Sequence, residues 1–194
     1  METKRVGIAM RALLDGVYRI ALWLSALCIV AIASMVGLQL AGRLVDGAMK
    51  LVGLEPYGFV ILSLAEIAAN LLAAASFLAL AGTLKAGAHI RVTMVLSFAG
   101  EAGRYWLELF AFVFATVLSA YVTWSIGSFA YYSLIFHEVS PGLIPVPLAI
   151  PQIAMAVGAL ILTVSLVDEV VTVATRGGPS FRKAEDAFTL GKEG

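Results

Sequence analysis

Four long stretches of this chain contain no Asp, Glu, Lys or Arg: residues 20–42, 67–84, 109–136 and 139–167, which are 23, 18, 28 and 29 residues long. A hydrocarbon core of about 30 Å takes roughly 20 residues of α-helix at ~1.5 Å each, so each stretch supplies one crossing and none supplies two. The expected fold is an all-α membrane protein with four transmembrane helices. Composition points the same way, since 61% hydrophobic and 13% charged residues in 194 exceed what a soluble domain of this size can bury.

The first run follows a basic N-terminus, and Ala31, Ile32 and Ala33 imitate a signal-peptidase site. The run continues to Gly42, longer than the apolar region of a signal peptide, so it is expected to remain as a span. Proline and interfacial residues set the other limits. The expected spans are 17–43, 57–84, 105–136 and 147–173, in one domain covering 1–194, with 176–194 as a short cytoplasmic tail. The second begins early because Pro56 precedes Tyr57 and Gly58, which draws Glu66 into it. The third, at about 48 Å, is too long for the bilayer alone. It must tilt, break near Gly127 or project outward. The fourth opens through Pro141, Pro145, Pro147 and Pro151, residues tolerated only in a lead-in or a first turn.

Eleven of the thirteen Lys and Arg lie before the first run, between the second and third, or after the fourth, leaving only Arg43 and Lys50 on the other side. The positive-inside rule then puts both termini and the central loop in the cytoplasm. Thirteen Asp plus Glu cancel the basic residues, so there is no basic surface for nucleic acid. Cys28 alone permits no internal disulfide. His89 and His137 fall on opposite sides, so no histidine pair is available to hold a metal or haem, and no cofactor is expected.

Ser63, Glu66 and Asn70 share one face of the second helix, and Ala65, Ala69 and Ala73 supply the small-residue spacing that lets helices approach. Glu66 either couples ion movement or fixes packing, and the small residues favour packing. The expected subunit-interface stripe is Ser63, Glu66, Ala69, Asn70 and Ala73. Arg104 and Glu108 stand one turn apart and are expected to pair. Asp168 and Glu169 are expected to form a solvated boundary after the fourth span. Ile90, Met94 and Phe98 recur every four residues, as in a short interfacial helix between the second and third spans. No hydrolase elbow, phosphate loop or zinc-protease motif occurs, so an enzyme is not expected.

Together these residues resemble the small permease subunit of tripartite ATP-independent periplasmic (TRAP) transporters. The resemblance, over roughly 56–168, rests on four spans with ends inside, on Glu66, on the run Gly87, His89, Ile90, Arg91 and Val92, and on the lead-in Ser140, Pro141, Pro145 and Pro147. Thr93 departs from it, since such proteins usually carry an acid there. The resemblance implies a non-catalytic scaffold in a sodium-driven importer of organic acids in the bacterial inner membrane. Its implied partners are a large elevator-type permease subunit, a periplasmic solute-binding protein and membrane lipid. The competing reading is a small autonomous homo-oligomeric transporter that uses Glu66 to couple protons.

Overall fold

The computed structural model describes residues 2–86 and 101–176, with side chains except at 2–10, 12, 101, 102, 104 and 176. Within them lie four helices, α1 (Glu2–Leu51), α2 (Leu64–Lys85), α3 (Glu101–Ile135) and α4 (Ala149–Arg176). Each is long and apolar enough to cross a membrane. The expected interfacial helix, with Ile90, Met94 and Phe98, and the tail beyond 176 lie outside the described residues.

The charge-free runs mark where the helices are apolar, and not where they stop. α1 continues through Arg43, Asp46 and Lys50, since none of these breaks a helix. Its 50 residues make about 75 Å of rod. It ends in glycine chemistry: Gly53 adopts φ 79, and the Leu54 amide bonds back to the Met49 carbonyl at 2.9 Å. α3 runs unbroken through Gly127, so of the options open to so long a helix the break is not used. It closes at His137, whose φ of 51 lets the Glu138 amide return to the Ser133 carbonyl at 3.0 Å.

α2 starts at Leu64, seven residues later than Pro56 suggests. The amides before it are satisfied elsewhere. Ile61 N–H donates to Gln39 Oε1 at 2.7 Å and Gly58 N–H to Asp46 Oδ1 at 3.2 Å, while the Phe59 ring covers Gly42. The connection is thereby strapped in extended form along the far end of α1. Helix formation would have to give those bonds up.

The helices form an open row in the order α1, α2, α4, α3 and not a closed bundle. α2 and α4 run parallel at its centre, both beginning at the same end, here the leading end, and finishing at the trailing end. Each seam is closed by small residues or a hydroxyl. Between α1 and α2, Leu22 lies against Gly82, and Ser25 Oγ donates to the Ala75 carbonyl at 2.8 Å. Between α2 and α4, Gly158 sits so close to the Phe77 peptide that a Cβ there would lie 2.5 Å from its carbonyl carbon. Between α4 and α3, Thr163 Oγ1 lies 2.8 Å from Ser119 Oγ and 3.1 Å from Thr123 Oγ1. Small-residue seams of this kind hold helices together where lipid offers no hydrophobic drive.

Candidate functional site

Polar side chains gather at the two ends of the α2–α4 pair. At the leading end, the connection between α3 and α4 folds into a stapled loop. Val139 bridges Pro147, the Ser140 amide donates to the Val146 carbonyl at 2.9 Å, and the Val146 amide returns a bond to Ser140 Oγ at 3.2 Å. This is how the proline-rich stretch is used: Pro141, Pro145 and Pro147 lack amide donors, and the loop is closed through the residues between them. Ser140 is buried while Leu143 is 81% exposed, so the loop presents an apolar tip on a fixed base.

The loop rests on the start of α2. Ser63 lies in the left-handed region at φ 55, and its hydroxyl caps nothing in its own helix, instead accepting the Ile144 amide at 3.1 Å. Its carbonyl begins the helix by accepting the Glu66 and Ile67 amides, both at 3.0 Å. Glu66 occupies the first turn, where the helix dipole favours a carboxylate, and lies directly against Gly142. A side chain at 142 would occupy the place of the Glu66 carboxylate. Glu66 therefore stands in the first turn of α2 and not several turns into it. It belongs to the corner where α2 begins, a consequence of the late start of that helix.

The expected stripe on α2 divides. Ser63 and Glu66 engage this chain's own loop. Asn70 lies level with Gln152 of α4, and Asn70 Nδ2 and Gln152 Oε1 are buried with no hydrogen-bond partner. Ala73 is half-buried, whereas Ala69 is exposed. With Ala65 and Leu72 it faces Ile29, Ala33 and Val36 across an apolar groove of about 520 Å³ between α2 and α1. Beyond Asn70 the buried residues of α2 are small or apolar: Ala74, Ala75, Leu78 and Ala81.

The trailing end holds a cluster that charge counting along the chain did not foresee. Lys85, the last residue of α2, donates to Asp168 Oδ2 at 2.5 Å and to Glu169 Oε1 at 2.7 Å. Glu169 is 0% exposed, so the expectation of a solvated boundary at Asp168 and Glu169 is corrected. The Lys85 ammonium also lies 5.8 Å from the centre of the buried Tyr18 ring, and Arg11 reaches Thr172 at 3.4 Å. Three helices thus meet through charge at one end. The signal was present in part, since parallel helices that start together rise equally per residue, which sets Lys85, 21 residues from Leu64, and Asp168, 19 residues from Ala149, at nearly one depth. Which helices are neighbours was not in the sequence pattern. Glu108 is buried at 3% exposure, and its expected partner Arg104 has no described side chain.

The run Gly87, His89, Ile90, Arg91 and Val92, with Thr93 after it, lies outside the described residues. Among those described, no three of His, Cys, Asp and Glu come together as a metal site would require. The polar clusters at the two ends join helix to helix or loop to helix. Fold and site together define an all-α, multi-pass membrane component held in a fixed row. Residues 57–176, more than half of the chain, match the DctQ component of tripartite ATP-independent periplasmic transporters, and the chain belongs to that family as a small membrane subunit. The match begins in the strap after α1, so all of α1 lies outside it. No characterised protein matches the chain.

Proposed function

We propose that the chain is the non-catalytic scaffold of a TRAP importer that takes up an organic acid on a sodium gradient. The observation that carries this reading is the row itself: four continuous helices, tied across every seam, with no broken helix among the described residues. Secondary transporters place substrate and ions where helices are interrupted near the midplane. A fixed row suits a part that stands still while a larger elevator-type permease subunit moves beside it. The groove at Ala65, Ala69 and Leu72 is wide enough for side chains of a partner helix, and its small residues allow close approach.

In this reading the row sits in the bacterial inner membrane, and the charge bias supports an orientation with both termini and the trailing cluster on the cytoplasmic side. The leading corner then faces the periplasm. Its stapled loop, with Ser140 buried, Leu143 exposed and Pro141, Pro145 and Pro147 around them, is a rigid surface for a soluble solute-binding protein. The run from Gly87 to Val92 would lie at the inner interface and brace the complex.

The competing reading, a proton-coupled homo-oligomer, needs Glu66 near mid-membrane with a polar route away from it. Glu66 stands instead at the start of α2, above a stretch of packed alanines. Co-purification and reconstitution decide between the two. The chain should bring down a large membrane subunit, solute uptake should require both plus the binding protein, and Glu66→Gln should leave sodium-driven uptake within about twofold. Uptake by the chain alone, abolished by Glu66→Gln, would overturn the scaffold reading.

A further inference from the structure

The trailing cluster holds more bonding capacity than the helices use. Beside it lies a notch of about 210 Å³, bounded by Arg11, Leu14 and Asp15 of α1, Lys85 of α2 and Asp168 of α4. Arg11 carries five N–H donors, and its hydrogen bonding within the described chain is the long contact to Thr172. Lys85 has three donors and directs two of them at Asp168 and Glu169. Asp15 stands one turn from Arg11 without pairing to it, and its carboxylate has no partner among the described residues. Arg11 and Asp15 are both exposed.

The notch is therefore open, with spare donors on two walls and a spare carboxylate on the third. Two cations and two carboxylates line it, so it is matched to neither a bare anion nor a bare cation. A zwitterion meets both needs at once. We propose that the notch binds the phosphoethanolamine headgroup of a membrane phospholipid, its phosphate against Arg11 and Lys85 and its ammonium against Asp15. The position agrees: Arg19, Lys85 and Asp168 are the charges that end the apolar runs of α1, α2 and α4, so the notch lies at headgroup depth. A choline headgroup has no N–H to give Asp15. A glycerol headgroup would bring net negative charge between Asp15 and Asp168. The proposal rests on the chain spanning a membrane and not on its scaffold role.

The test uses the full chain, with any subunit that co-purifies. It is reconstituted in nanodiscs of equal phosphatidylethanolamine, phosphatidylcholine and phosphatidylglycerol, released into mild detergent, and its retained lipids are identified by native mass spectrometry. Phosphatidylethanolamine should be retained about tenfold over either competitor: all three lipids carry the phosphate, so the difference is the one charge-assisted hydrogen bond from the ammonium to Asp15. Arg11→Gln and Asp15→Asn should each bring retention close to parity with helical content unchanged, while Thr172→Val, which removes only the contact within the chain, should preserve the preference. Soluble glycerophosphoethanolamine in excess should displace little of the lipid, and full displacement would make this a site for a soluble metabolite and overturn the lipid assignment. Equal retention of the three lipids, indifference to Arg11→Gln, or a preference for phosphatidylglycerol that survives Asp15→Asn would also overturn it. Lipid retention is read on the chain itself, so these outcomes stand apart from a failure to find a large subunit, which bears on the scaffold role alone.

Discussion

The two ends of the α2–α4 pair are fastened by different physics. At the leading end the fastening involves no ion pair among the described residues: Ser63 accepts an amide from a loop that its own hydrogen bonds already shape, and Glu66 fits a space that Gly142 leaves open. At the trailing end it is ionic and converges from three helices on Lys85, with the Glu169 carboxylate fully enclosed. The difference follows from what each end must join. A loop can shape itself around a hydrogen bond, whereas two rigid helix ends need a long, flexible, charged side chain to span them. An enclosed carboxylate also makes the trailing end the costlier one to disturb, because removing one member leaves a charge where water cannot reach it.

The largest expected effect is therefore at Lys85. Lys85→Met keeps the length of the side chain and removes the charge, and should destabilise the protein by on the order of 3 kcal/mol. Unfolding in mixed micelles, followed by circular dichroism, measures it. Adding Glu169→Gln and Asp168→Asn should recover most of the loss, and no recovery would mean that Lys85 acts by packing on Tyr18 rather than by charge. Next comes the seam between the two ends. Gly158→Val places methyl groups against the Phe77 peptide and should cost about 2 kcal/mol by overpacking. Gly127→Ala, in α3 with nothing within 4 Å of the new methyl, should be neutral or slightly stabilising. Similar losses at both glycines would show the cost to be one of helix backbone and not of helix contact.

The same contrast explains what could be read from the residues and what could not. The four helices followed from apolar runs because lipid leaves such runs one conformation. The family's lead-in was legible too, since Pro141, Pro145 and Pro147 forbid a helix where the stapled loop lies. The start of α2 was not legible, because it depends on Gln39 and Asp46 of α1 taking the amides of Ile61 and Gly58, 22 and 12 residues further along the chain, that a helix would otherwise use. The late start moves Glu66 from about nine residues inside the expected helix to its first turn. The ion cluster was half legible: charge sets the depth of Lys85 and of Asp168, but only the order of helices in the row makes them neighbours.

The smallest effect expected is at the leading end, and it separates two contributions at one residue. Ser63 is held at φ 55, a conformation that costs a non-glycine residue about 1 kcal/mol, and its hydroxyl offsets this by accepting the Ile144 amide. Ser63→Ala keeps the strain and loses the bond, so it should destabilise by about 1 kcal/mol. Ser63→Gly loses the bond but also the strain, and should stay within about 0.5 kcal/mol of the parent. The same micelle unfolding reads both, and hydrogen exchange at the Ile144 amide should quicken in both. If the glycine variant falls as far as the alanine one, the corner is held by the hydroxyl alone. The leading end would then resemble the trailing end more closely, in resting on one side chain that nothing else in the loop can replace.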